Sequence, residues 1–171
     1  MLKRTHDLLP PEEHRRIGKV LFNHVWDLMD KKKRTAEEDA EMIRDVQAMR
    51  FHWYEAGTRR NKAVSEWQTA RVYSILRMPE PALYHAKRCL ALNKSGGEGF
   101  KDFHLPSAYE GLARARVTAG DARRAANYLE KATKLAAKIK NPEDKKTISD
   151  QIASDYLVLN EAKPLRPKRI R

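Results

Sequence analysis

Between Ser107 and Ala137 the sequence SAYEGLARARVTAGDARRAANYLEKATKLAA has the periodicity of two amphipathic helices folded about a Gly120-Asp121 turn. A glycine beyond the last turn of one helix accepts the left-handed conformation, and an aspartate offers its side-chain oxygen to the first free amides of the next. Small residues, Ala113 and Ala125, face each other across the turn and let the helices approach closely, while Tyr109, Leu112 and Leu129 fill the seam. A hairpin of this length cannot bury its own apolar faces. It predicts a stack of such units, each covering the next.

Composition agrees with an all-helical chain. Charged residues make up 34% of the 171 positions, only seven are glycine, and strand-like alternation is lacking. The length suits one domain with a real core. A lone cysteine, Cys89, forms no internal disulfide and suits a small core position in a reducing compartment. The N-terminal residues carry Lys3, Arg4 and Asp7 where a secretory peptide needs an apolar run, and no stretch has the length of a membrane span. The expectation is a soluble, cytoplasmic protein with no membrane partner.

Seven helices are predicted. The first follows Pro10-Pro11 and runs to about Met29, with Ile17, Leu21, His24 and Leu28 on its apolar face. Thr35 and Glu38 have capping-box spacing, so a second helix starts there, buries Met42, Val46, Met49 and Trp53, and stops at a left-handed Gly57. A third spans about Asn61 to Arg77, and a fourth follows Pro79-Glu80-Pro81 and buries Ala82, Leu83, Ala86, Cys89 and Leu90. The segment SGGEGFKDFHLP then reads as a variable or functional insert. Pro106 starts the fifth helix, Asp121 caps the sixth, and Asn141-Pro142 begin a seventh that buries Ile148, Ile152, Tyr156 and Leu159. The predicted organisation is one domain over 1–161, comprising an N-terminal hairpin (10–57), a degenerate repeat (61–93), a clear repeat (106–140) and a capping helix (142–160). A basic tail over 162–171 completes it.

With Gly120 at position 15 of a 34-residue unit, Tyr109, Leu112, Ala113, Ala125, Leu129 and Ala132 fall at positions 4, 7, 8, 20, 24 and 27. That spacing resembles the tetratricopeptide repeat. Ala70, Tyr73, Ala82, Ala86 and Cys89 fit positions 8, 11, 20, 24 and 27 of an earlier copy, although Glu66 and Thr69 stand at 4 and 7, where bulky apolar groups are usual. As a whole the chain resembles a small prokaryotic protein of this repeat family, a likeness that brings no activity with it. The resemblance implies a right-handed stack of antiparallel hairpins and a non-enzymatic scaffold or adaptor for a protein or peptide. It also implies a groove lined by positions 2, 5, 9, 12 and 13 of each first helix. These are Val64, Trp67, Arg71, Ser74 and Ile75 in one repeat, and Ser107, Glu110, Arg114, Val117 and Thr118 in the other. Trp67 is alternatively a core anchor, if the third helix is displaced by one residue. The Lys-Asn-Arg carboxylate clamp known in this family does not transfer, since position 9 is arginine in both repeats; Arg71 and Arg114 still favour an acidic partner.

Two other readings compete. Arg124, Lys131 and Lys138, with Lys134 beside them, form a basic ridge on the sixth helix, and the last nine residues hold Lys163, Arg166, Lys168, Arg169 and Arg171 without an acid. Such groups contact phosphates, which makes nucleic acid the alternative partner. His24, His52 and His85 would serve a metal or a small-ligand enzyme if they converged, but no HExxH or other metal-ligand spacing accompanies them. No cofactor, metal or catalytic residue is assigned. A short array also leaves a symmetric dimer open.

Overall fold

A computed structural model describes residues 9–161 of the chain. They form seven helices: α1 (Pro11–Met29), α2 (Ala36–Ala56), α3 (Arg59–Ile75), α4 (Pro79–Ser95), α5 (His104–Thr118), α6 (Ala122–Ala136) and α7 (Pro142–Glu161). No strand occurs among the described residues. Three hairpins, α1/α2, α3/α4 and α5/α6, stack in chain order, and α7 packs on α5 and α6. The first helices touch in series, α1 on α3, α3 on α5 and α5 on α7, so these four form one layer. No helix among the described residues is long and apolar enough to cross a membrane.

The helix ends follow local chemistry. Thr35 Oγ1 accepts the Glu38 amide at 3.2 Å while Glu38 Oε2 accepts the Thr35 amide at 2.7 Å. Thr58 and Asn61 make the same reciprocal pair, which starts α3 at Arg59, two residues before the expected Asn61. Each such cap contributes about 1 kcal/mol. Gly57 is not left-handed as expected; its φ of −86° and ψ of 160° are extended. It is glycine for room, since a Cβ there would lie 2.4 Å from the Trp53 carbonyl oxygen. The expected end of α3 at Arg77 also moves, because Arg77 itself takes a φ of 56° and closes the helix at Ile75. α5 starts at His104 rather than Pro106, which sits inside its first turn. At the central turn Gly120 has φ +72°, and Asp121 Oδ1 accepts the Arg124 amide at 3.1 Å. Asn141 Oδ1 accepts the amides of Glu143 and Asp144, both at 2.9 Å, and so begins α7.

Three clusters make up the core, each spanning neighbouring hairpins. Val25, Leu28, Met42, Val46, Met49 and Trp53 join α1 to α2 and reach Val72 of α3. Ala70, Tyr73, Ala82, Ala86, Cys89 and Leu90 join α3 to α4 and meet Ala108, Leu112 and Ala115 of α5. Ala113, Leu129, Ala132 and Ala136 meet Ile139, Ile148 and Ile152 at the other end. The buried face of α1 differs from the expected one: it carries His14, Gly18, Val25 and Leu28, whereas Ile17, Leu21 and His24 are only half-buried. Gly18 determines that rotation, because a Cβ there would come within 2.3 Å of the Trp53 indole. The helix therefore turns its glycine, not an isoleucine, toward α2. Residues 162–171, with Lys163, Arg166, Lys168, Arg169 and Arg171, lie outside the described residues.

Candidate functional site

The four helices of this layer, with α4 at their side, surround a pocket of about 300 Å³. α1 contributes Phe22 and Trp26, one turn apart, and α3 contributes Arg60, Ala63, Val64 and Trp67. The remaining wall comes from Cys89 and Asn93 of α4, from Ser107 of α5, from Phe103 and His104 where the inter-repeat loop enters α5, and from Asp144, Thr147, Ile148 and Gln151 of α7. Aromatic and aliphatic carbon dominates the interior, and its charged groups, Arg60 and Asp144, stand in the first turns of α3 and α7. That composition belongs to ligand pockets, in which apolar walls supply binding energy and a few polar groups supply orientation.

Of the ten groove residues expected from sequence, Val64, Trp67 and Ser107 line this pocket. Trp67 packs with Trp26 at a ring separation of 5.8 Å, and its pyrrole edge lies against Gly111, where a Cβ would approach to 3.2 Å. Arg71 lies one turn farther along α3, its guanidinium 5.3 Å from the Trp26 ring centre and 5.5 Å from that of Trp67. It closes the aromatic pair from behind instead of lining the pocket.

Glu110 and Arg114 correct the expectation more sharply. Glu110 is wholly enclosed and pairs with Arg114, and Arg114 also reaches Asp155 of α7 at 3.3 Å. No partner can touch Glu110 across that helix. The cause is α7, which lays a carboxylate over the face that the repeat pattern would leave open. Burial, aided by the neighbouring Arg71 charge, brings Arg114 down to about 10, with Asp155 opposing. Burial pushes the Asp155 carboxyl up, with Arg114 opposing. Arg71 is likewise lowered by burial against the pull of Asp155 and Asp30. Ser74 and Thr118 turn their hydroxyls back to the carbonyls of Ala70 and Arg114, at 2.9 and 3.0 Å, and so present no free donor.

Sequence reasoning missed Phe22, Trp26, Phe103, Ile148 and the mouth residues. The Phe22–Trp26 spacing of four was the available signal, obscured by taking the Ile17–Leu21 face as the inner one. It also missed the role of Glu66. This carboxylate is fully buried and receives Arg50 Nε at 3.0 Å, Arg88 Nε at 2.9 Å, Tyr54 Oη at 2.5 Å and His85 Nδ1 at 2.6 Å. Burial opposes its ionisation, but the bonds from His85, Tyr54, Arg88 and Arg50 prevail and hold it at about 2. The acid at an apolar repeat position is thus neutralised by four donors.

The histidines do not converge. His24 Nδ1 meets Asp45 at 2.7 Å and its Nε2 lies 3.9 Å from Glu41; His52 meets His14 at 2.9 Å; His85 belongs to the Glu66 cluster. Ligand-type atoms of His24, Glu41 and Asp45 lie within 4.8 Å of one another, an arrangement that the ion pairs alone account for. The ridge residues Arg124, Lys131 and Lys134 of α6 are exposed as expected, whereas Lys138, also exposed, lies past the end of that helix at Ala136. Arg124 is paired with Asp121 at 3.1 Å and Lys134 with Glu130 at 2.5 Å, which halves the free charge of the ridge. No protein-family model matches the chain, and neither a curated protein nor a solved structure matches it.

Proposed function

We propose that this chain is a non-enzymatic, tetratricopeptide-like binding module that holds a partner protein or peptide by taking one bulky apolar side chain into the pocket between α1, α3, α5 and α7. The observation that carries the reading is the pocket itself: about 300 Å³, walled by Phe22, Trp26, Trp67 and Phe103, at the layer where the first helices meet. Aromatic walls of this kind give a buried anchor side chain most of its binding energy. The reading differs from a long groove gripped by Arg71, Glu110 and Arg114, because α7 covers that stretch. Nucleic acid has less support, since the α6 ridge is half neutralised by its own acids.

Filling the pocket is the direct test. Peptides selected from a random displayed library on the wild-type protein are expected to bind Val64→Trp at least about tenfold more weakly, a loss of about 1.4 kcal/mol. Far-UV helicity should be unchanged. Equal affinity for a folded Val64→Trp protein would place the binding surface elsewhere.

A further inference from the structure

The mouth of the pocket carries two charges of opposite sign on different helices. Arg60 stands at the start of α3 and Asp144 in the first turn of α7, and both line the cavity. Neither enters an ion pair with a described residue. Arg60 Nε donates to His104 Nε2 at 3.3 Å, and the rest of its fork meets no hydrogen-bond partner among the described residues. His104, at the start of α5, is buried; burial outweighs its bond to the Lys101 backbone and, with the charges of Arg60 and Lys101, disfavours its protonation, while Asp144 favours it. The inter-repeat loop holds this arrangement from outside. Gly99, whose φ of +80° favours glycine, runs beside the Arg60 chain, and Asp102 Oδ2 anchors the loop by accepting the Lys140 amide at 2.9 Å.

We infer that the pocket's partner is a peptide segment in extended form whose apolar anchor is flanked by an acid on one side and a base on the other, the acid meeting Arg60 and the base meeting Asp144. The inference rests on the proposed binding of an apolar side chain in this pocket. Its physical basis is charge complementarity around a desolvated anchor. A like-charged segment would bring one of its charges against a mouth residue of the same sign, and such repulsion discriminates between partners more than it adds affinity. In an extended segment the residues two before and two after the anchor share its face, so these positions carry the specificity.

Acetylated and amidated peptides containing Glu-Ser-Phe-Ser-Lys, Glu-Ser-Phe-Ser-Glu, Lys-Ser-Phe-Ser-Lys and Glu-Ser-Ala-Ser-Lys, titrated against the full chain and followed by NMR, test this. The mixed-charge Phe peptide should bind roughly fivefold more tightly than either like-charged one, the scale of exposed ion pairs. Arg60→Gln should shift the preference to the Lys/Lys peptide, and Asp144→Asn to the Glu/Glu peptide. If the three Phe peptides bind alike in all three proteins while the Ala peptide does not bind, the charge inference is wrong and the pocket reading stands. If no Phe peptide binds, both are wrong.

Discussion

Glu66 shows how a single residue can violate a repeat pattern and still stabilise the fold. A carboxylate at a buried apolar position costs several kcal/mol unless its oxygens are filled. Here Arg50, Arg88, Tyr54 and His85 fill them, from α2 and α4 on either side of α3. The folded carboxyl titrates at about 2, below its ordinary value of 4.5. A depressed carboxylate contributes stability that is complete above the unfolded value and is lost as pH falls through the folded one. Chemical denaturation should therefore show a loss on the order of 3 kcal/mol between roughly pH 5 and pH 2 from this group. Glu66→Gln should be less stable at pH 7 and show a flatter profile across that window. A variant with the wild-type acid slope would assign the effect to other carboxylates.

At the scale of elements, α7 is the least well satisfied. Its seam with α3 and α5 encloses Arg71 Nε and Nη1, Arg114 Nη1, Asp155 Oδ2 and Gln151 Oε1 without a hydrogen-bond partner among the described residues. Each such atom costs about 1–3 kcal/mol, so α7 is expected to open at lower free energy than the rest of the stack. Arg114→Ala removes the cation that, among the described residues, pairs with both Glu110 and Asp155, and breaking a buried pair in this way costs about 3–5 kcal/mol. Hydrogen exchange should then show α7 amides losing protection while α1 to α4 keep theirs. Exchange of α7 only in step with global unfolding would contradict the account.

The same element explains what could be read from the sequence. Caps and turns were legible because they are local: Thr35 with Glu38, Gly120 with Asp121, and Asn141 act within four residues. So was the helical seam of α5 and α6, where small and large residues alternate at helical spacing. The open or closed state of the inner face was not legible, since it depends on where α7 lies, and periodicity in α7 reports an apolar stripe without naming the surface beneath. Likewise Gly18 fixes the rotation of α1 only through the Trp53 ring, 35 positions away in the chain. Two walls of the pocket, Phe22 and Trp26 on α1 and Ile148 and its neighbours on α7, follow from those two nonlocal choices.

At the scale of the molecule, the hairpins matter because they bring four first helices around one cavity, and the three tryptophans report on it separately. Trp26 and Trp67 line the pocket, whereas Trp53 is buried between α1 and α2. Adding the Phe-centred mixed-charge peptide to isotopically labelled protein should move the indole N–H resonances of Trp26 and Trp67, and leave that of Trp53 in place. Movement of Trp53 alone, or a bound peptide that moves none of the three, would contradict the claim that the layer of first helices forms the binding site.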